Sequence, residues 1–190
     1  MDFSELRKKH GQFIYEGHKI EFRQGSLKIV FDFLLTPDIK FNPEVILPNV
    51  SKDRLEEVGP EVLANLVFNL GMVELLSYWK TACSPQIIIK AGYLNKEQIA
   101  FWKKLLIKGL GEFFYTNKID FTQEDLIEFV RQPERLQAKF TSYDGKLNDR
   151  DLVLVGGGKD SAVTLESIGK QEKEFNALIL NPTKAAIKIA

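Results

Sequence analysis

The sequence contains a single cysteine, Cys83, among its 190 residues. One cysteine excludes an intramolecular disulfide and any zinc site built on paired cysteines. The sequence also lacks an excess of charge of either sign, since 26 lysines and arginines balance 26 aspartates and glutamates. A nucleic-acid-binding domain usually has a strongly basic balance, so we expect no nucleic-acid partner.

Long uninterrupted apolar runs are lacking as well. The longest apolar stretch, Val62 to Trp79, contains Asn65, Asn69 and Glu74, whereas a membrane span needs about 18 uninterrupted apolar residues. The first residues carry no basic-then-apolar leader of the kind that directs secretion. We therefore expect no membrane segment and a cytoplasmic location.

The N-terminal part, residues 1–132, is predicted to be an α+β domain. Apolar and polar residues alternate from Lys19 to Phe33 around Gln24-Gly25-Ser26, which predicts a β-hairpin with one buried face. A weaker strand or edge segment is expected over 39–47, because Pro43 cannot donate to a central ladder.

Helices and a short strand are expected next. Helical spacing predicts a helix from Pro60 to Trp79, and its expected buried face consists of Leu63, Leu66, Val67, Leu70, Val73 and Leu76. The β-branched run 87–89 predicts a short buried strand. Asn95 and Gln98 form a capping pair that predicts the start of a second long helix.

Thr122 and Asp125 predict one further short helix, which ends near Pro133. The polar segment 133–150 that follows has few large apolar residues and is predicted to be a linker. Residues 151–190 contain a strand over 151–155, a helix over 159–169 and a second strand over 175–180. This βαβ unit has fewer parallel strands than a doubly wound sheet needs, so we expect it to be the start of an incomplete nucleotide-binding domain.

A glycine-rich motif lies between that strand and that helix: Gly156, Gly157, Gly158, Lys159, Asp160 and Ser161. Glycines let a backbone approach a ligand closely, and a helix N-terminus offers unpaired N–H groups to an anion. Lys159 adds a positive charge and Ser161 a hydroxyl donor, so the motif favours a phosphate ligand. We expect a β-branched residue at Gly158 to strain the turn if φ is positive there.

Two common phosphate loops do not fit this motif. The Walker loop requires glycine where Val153 stands and a hydroxyl where Asp160 stands, and the dinucleotide fingerprint requires a small apolar residue where Ser161 stands. The motif resembles instead the pyrophosphatase loop, Ser-Gly-Gly-x-Asp-Ser, of enzymes that transfer AMP from ATP to a substrate oxygen, with Gly156 in place of the first serine. The alternative is a glycine-rich turn without a ligand.

Four further strings carry a resemblance that covers roughly residues 60–181: LGMVELLSYWK (70–80), CSP (83–85), FWKK (101–104) and KGLGEFFY (108–115). Together with the glycine motif they resemble the UDP-N-acetylmuramoyl-L-alanyl-L-glutamate epimerase family. The resemblance implies an ATP- and Mg²⁺-dependent reaction that releases AMP and pyrophosphate, and a UDP-linked muramoyl dipeptide as substrate. It also implies that residues 156–161 bind ATP and that Asp160 acts through the metal or holds the loop and the helix start.

Adenylation suits this epimerisation chemically. Loss of the α-proton next to an ionised carboxylate would place two negative charges side by side, whereas an acyl-adenylate is neutral at that carbonyl. A base must then remove the proton and an acid must return one to the opposite face. The candidates for these roles are Glu112 and Cys83.

Other interpretations remain open. Cys83 is more simply a small core residue at a helix end, and Lys103, Lys104 and Lys108 form a solvated helix face or contact an anionic ligand. His10 and His18 are expected at the surface. The chain is alternatively part of another adenylating synthetase or amidotransferase, or a nucleotide-binding module without catalysis.

Overall fold

A computed structural model describes residues 2–123, 125–130, 142–171 and 174–190. The chain is mixed α/β and divides into two compact units, one that ends at Tyr143 and one that extends from Asp144 to Ala190. We describe each unit by itself. Residues 133–141 of the predicted linker lie outside the described residues, so the domain boundaries stay a prediction.

The first unit is built around a mixed β-sheet. Its strands are β1 (Gln12–Arg23), β2 (Ser26–Leu35), β3 (Ile39–Phe41), β4 (Glu44–Leu47), β5 (Gln86–Ile89) and β6 (Glu128–Val130). Its helices are α1 (Phe3–Lys9), α2 (Lys52–Val58), α3 (Pro60–Trp79), α4 (Lys96–Gly109) and α5 (Gly111–Thr116). The sheet order is β3-β2-β1-β5-β6, and β4 also pairs with β2. The strands pair antiparallel from β3 to β1 and parallel from β1 to β6.

The predicted hairpin is confirmed as β1 and β2. Gln24 and Gly25 have φ angles of 50° and 73°, as a two-residue turn of type I′ requires. The first strand begins at Gln12 rather than Lys19, because Phe13 and Tyr15 are fully buried and pair with β5 as well as β2. The edge segment around Pro43 is also confirmed, as the two short strands β3 and β4.

The helix α3 has the predicted bounds, but the prediction of its buried face is only partly confirmed. Val67 is buried, and Leu63, Leu70 and Leu76 pack half-buried against the core. The buried side is formed by Val62, Val67, Phe68, Gly71, Met72, Leu75 and Trp79. Leu66 and Val73 were expected in the core and are 58% and 51% exposed. Apolar residues occur on both sides of this helix, so helical spacing alone could not select the side that packs on the sheet.

The same helix bears on the membrane expectation. Among the described residues, α3 alone is long and apolar enough to cross a membrane by length and composition. Its residues Met72, Leu75 and Trp79 are fully buried in the main core. The side of α3 that faces the sheet therefore packs as that of a core helix.

The predicted helix at 122–133 is not observed; its described part is a turn followed by the strand β6. The Asp120 carboxylate accepts the backbone N–H of Thr122 at 3.0 Å and its hydroxyl at 2.6 Å, so Thr122 belongs to a turn and does not cap a helix. Phe129 then pairs with Ile87 on β5. A short apolar run fits either periodicity, and the open edge of β5 selected the strand. Residues 131–141 lie outside the described part of the chain.

The two histidines are less exposed than the surface positions expected for them. His10 is 5% exposed and its Nδ1 lies 2.6 Å from the carbonyl oxygen of Thr36. His18 is half-buried, with Nδ1 3.1 Å from the hydroxyl of Tyr15. Burial lowers the pKa of His18, and the nearby Asp32 opposes this shift. Both rings therefore contribute to the packing around β1.

The second unit contains the predicted strand-helix-strand segment. Its elements are β7 (Asp151–Leu154), α6 (Lys159–Gly169), β8 (Phe175–Leu178) and α7 (Lys184–Ile189). The strands β7 and β8 are parallel, as expected of a βαβ unit, whereas α7 was not predicted. Its small core comprises Val153, Val155 and Ala186. That this unit begins a Rossmann-like pyrophosphatase-loop domain stays a prediction.

Candidate functional site

The glycine motif forms the connection from β7 to α6. The N–H of Val155 donates to the carbonyl of Leu178 at 2.9 Å, so the strand pairing continues up to the first glycine. At Gly156 and Gly158 a Cβ atom would meet nothing within 4 Å. The backbone is therefore open to close approach by a ligand on both sides of Gly157.

Gly157 is the conformationally special residue of this loop. Its φ angle is +87°, and a Cβ atom there would lie 2.8 Å from the backbone nitrogen of Ala186. Gly158 has φ −93° and ψ 176°, which any residue adopts. The strain expected at Gly158 is thus found at Gly157, because only there does the loop turn left-handed against α7.

We expect Gly157→Val to destabilise the second unit, since a β-branched side chain is strained at positive φ and would collide with the α7 backbone. Strain and overpacking together should cost about 3 kcal/mol or more. Thermal unfolding measured by circular dichroism checks this, with Gly158→Val as the matched control. Equal losses of stability in the two variants would contradict this description of the loop.

Ser161 links the loop to the helix. Its Oγ accepts the N–H of Gly156 at 3.1 Å, so its own hydroxyl hydrogen can be donated elsewhere. Gly158 is the N-cap of α6 and has no side chain to accept the first-turn N–H groups of that helix. These groups and the positive end of the helix dipole suit an anionic ligand.

Lys159 and Asp160 are the charged residues of the motif. Both side chains are exposed in the first turn of α6. The backbone carbonyl of Asp160 accepts the Thr164 hydroxyl at 2.8 Å, which holds the turn that presents the carboxylate. One cation and one anion therefore stand at the mouth of the glycine loop.

The implied Mg²⁺ fits this loop only as a nucleotide-bound ion. Among the described residues no group of three or more His, Cys, Asp or Glu side chains could hold a metal. Protein-bound Mg²⁺ is commonly held by one or two carboxylates together with substrate phosphates and water. Asp160 could supply the carboxylate, and the other ligands would come from phosphate and water.

The two candidates for proton transfer, Cys83 and Glu112, lie in the first unit. The Cys83 side chain is buried, with its sulfur 3.7 Å from the carbonyl of Lys80. Burial raises the pKa of the thiol to about 11, although nearby Arg7 lowers it. The thiol is therefore protonated at neutral pH. Glu112 is exposed in the first turn of α5.

A Cys83→Ser variant tests the structural interpretation of this thiol. Replacing it by a more polar hydroxyl should lower the free energy of unfolding by about 1 to 2 kcal/mol and leave exchange of the substrate α-hydrogen largely intact in the whole protein.

The pH dependence of the free energy of unfolding gives a second test with the Cys83→Ser variant. Because the folded thiol has the higher pKa, the stability it contributes is present below its ordinary value of 9.0 and is lost as the pH rises toward about 11. Urea titrations from pH 8 to 11 should show this loss in the wild type and a smaller one in Cys83→Ser. Loss of α-hydrogen exchange in a folded variant would instead make Cys83 a catalytic residue.

Sequence reasoning did not predict the role of Arg7. Its guanidinium donates to the carbonyl of Cys83 and, at 2.9 Å, to that of Leu126, which fastens α1 across two distant segments. Burial lowers the pKa of Arg7, opposed by Cys83 and Asp125. The two hydrogen bonds join residues that are 76 and 119 positions apart in the sequence. No local sequence pattern could therefore predict them.

Arg7 also borders a cavity of about 820 Å³ in the first unit. Lys103, one of the three helix lysines considered as anion contacts, lines it together with Lys8. Asp125 and Glu128 also line this cavity, so the lining carries charges of both signs. Lys103 thus lines a cavity of the first unit, whereas the glycine loop belongs to the second unit.

Comparison with known proteins agrees with the resemblance. The chain is 25% and 26% identical, over 98% of its length, to proteins named UDP-N-acetyl-alpha-D-muramoyl-L-alanyl-L-glutamate epimerase from Micromonospora sp. (strain ATCC 39149 / NRRL 15099 / SCC 1413) and Salinispora tropica. A protein of that name from Xanthomonas oryzae pv. oryzae is 32% identical over 99 residues, which are 52% of this chain and 21% of that protein.

The chain spans about 40% of the length of the two relatives that it matches almost throughout. No solved structure matches it. The family described as the MurL N-terminal domain matches residues 4–190. Because this match covers nearly the whole sequence, the chain belongs to the MurL N-terminal domain family.

Proposed function

We propose that this chain is part of an enzyme that converts the terminal L-glutamate of UDP-N-acetylmuramoyl-L-alanyl-L-glutamate to D-glutamate during synthesis of a peptidoglycan precursor. The observation that carries this proposal is the match to epimerases of that name over 98% of the chain. The family match over residues 4–190 supports it.

We further propose that the reaction uses ATP and passes through an acyl-adenylate. The support is the glycine loop, which combines an open backbone at Gly156 and Gly158, a left-handed turn at Gly157 and the N-terminus of α6. Converting the glutamyl α-carboxylate to a neutral acyl group makes its α-proton removable by a base of ordinary strength. ATP cleavage between the α and β phosphates would supply that activation.

The backbone and the side chains of the motif have separate roles in this proposal. Backbone N–H groups of the loop and of the first turn of α6 bind phosphate oxygens. The Oγ of Ser161 holds the loop by accepting the N–H of Gly156, and its hydroxyl hydrogen is donated to a phosphate oxygen. Lys159 neutralises charge that develops on the leaving pyrophosphate. Asp160 would hold Mg²⁺, which would neutralise phosphate charge when bound.

The proposal is tested in the longest natural form of the protein. We expect pyrophosphate release from ATP and Mg²⁺ in the presence of the UDP-linked L-alanyl-L-glutamate substrate, with incorporation of solvent deuterium at the glutamyl α-carbon and appearance of the D epimer. The matched control substrate is the UDP-linked muramoyl-L-alanine, which lacks the glutamyl residue and should give no release.

Two outcomes would contradict the proposal. A nucleotide-dependent rise in thermal stability without pyrophosphate release would show a binding module without catalysis. Pyrophosphate release with a different acyl acceptor, and no epimer from the glutamyl substrate, would show another adenylating synthetase.

A further inference from the structure

The helix α3 carries a second apolar stripe, opposite the side that packs on the sheet. The stripe consists of Leu63, Leu66, Leu70 and Val73, whose 3-4-3 spacing is that of a coiled-coil seam. Leu66 and Val73 are 58% and 51% exposed, and the other two are half-buried at the margin of the core. Leu66 and Val73 are therefore open to a further packing partner.

Polar groups border the stripe. On one side the Asn69 side chain donates to the backbone carbonyl of Asn65 at 2.9 Å, and on the other side lies Glu74, half-exposed one position after Val73. An apolar centre with a polar rim is the usual composition of a protein–protein contact. Isolated exposed leucines need no explanation, but a continuous seam with such a rim does.

A lipid surface does not suit this stripe. Helices that lie in a membrane interface carry lysine or arginine on their polar face. The 20 residues of α3 contain neither, and they include Glu61 and Glu74. Negative charges beside the seam would be repelled by anionic lipid headgroups.

A second copy of the chain does not suit it either. From Leu63 to Val73 the seam is about 15 Å long, at 1.5 Å per residue, and it offers four apolar side chains. A stable interface buries about 800 Å² and involves 20 to 30 residues on each partner. A contact this small is stable only with a segment that is covalently linked to the chain, because the effective concentration of a linked segment reaches the millimolar range.

We propose that the stripe of α3 binds an apolar helix from the part of the epimerase that lies outside this chain. The relatives matched over 98% of this chain have more than half of their own length outside the match, which provides such a segment. Leucine and valine at seam spacing fit the corresponding side chains of a helix that packs lengthwise against α3. The proposal rests on family membership and does not depend on adenylation.

Cysteine labelling measures coverage of the stripe directly. Leu66→Cys and Val73→Cys place thiols on the seam, and Ala64→Cys is the matched control because Ala64 is exposed and lies about 100° around the helix from Leu63. The native Cys83 is 2% exposed and contributes little background. Circular dichroism confirms that each variant is folded.

We expect maleimide labelling at positions 66 and 73 to be at least 10-fold slower in the longest natural form than in the 190-residue chain, and labelling at position 64 to be equal in both. As a second measurement, the double variant Leu66→Glu/Val73→Glu should lower the melting temperature of the longest natural form, where the stripe is covered. It should leave the melting temperature of the 190-residue chain unchanged.

Equal labelling rates in the two forms at all three positions would overturn the proposal. Protection at 66 and 73 that rises with the concentration of the 190-residue chain alone would overturn it in favour of a second copy. Neither measurement involves ATP or the epimerisation, so this proposal and the proposed function can fail independently.

Discussion

Replacing Lys159 by alanine should reduce substrate-dependent pyrophosphate release by about 100-fold or more. The reason is electrostatic: negative charge moves onto the leaving pyrophosphate in the transition state, and Lys159 stands at the N-terminus of α6 beside the loop expected to hold those phosphates. Folding should hardly change, because the Lys159 side chain is exposed. Release is measured in the longest natural form with ATP, Mg²⁺ and the UDP-linked substrate.

The matched control is Lys170→Ala, at the opposite end of the same helix. Lys170 is exposed and pairs with Glu166 at 3.3 Å, so its removal changes the net charge equally without touching the loop. The control should retain nearly full release. Wild-type rates in Lys159→Ala would leave the glycine motif as a turn and remove the main support for ATP use.

Gly71→Ala should lower the free energy of unfolding strongly, because the added methyl group has no room in the core. A Cβ atom at Gly71 would overlap the hydroxyl of Tyr15 and lie 2.9 Å from Cδ1 of Phe31. Tyr15 is fully buried and stacks on Phe68 with ring centroids 5.9 Å apart, so its ring has little room to retreat. We expect a loss of about 3 kcal/mol, although alanine favours a helix by about 1 kcal/mol over glycine.

Urea unfolding of the 190-residue chain measures this loss. Gly109→Ala is the matched control, because Gly109 ends α4, is exposed and would place its Cβ in open space; it should be neutral or slightly stabilising. Tyr15→Phe removes the hydroxyl with which the new methyl group collides, so the double variant should regain part of the stability that Gly71→Ala loses. A Gly71→Ala chain as stable as the wild type would contradict the packing of α3 on β1.

Local signals in the sequence predicted most of the elements. The Asn95–Gln98 capping box forms as expected, with both hydrogen bonds between 2.8 and 2.9 Å. The hairpin turn at Gln24-Gly25 and the helix start at Pro60 also lie where the residue types require them. These features depend on neighbours within four residues, so they can be read without knowledge of the fold.

The glycine motif belongs in the same group. Its place between a strand and a helix was readable from the apolar run before it and the helical spacing after it, and the structure has β7 and α6 there. Which glycine takes the positive φ was not readable, because three consecutive glycines all permit it. The approach of Ala186 on α7 selects Gly157.

By itself the sequence determined most of the elements, the loop between β7 and α6 and the resemblance to an epimerase family, since each depends on short-range pattern. Only the tertiary structure decided which side of α3 enters the core, that the residues around Phe129 form a strand, and that Arg7 joins Cys83 to Leu126. The physical reason is common to all three. An apolar stripe, a short apolar run and a cation each have several favourable partners, and the choice among them depends on what distant segments of the chain leave open.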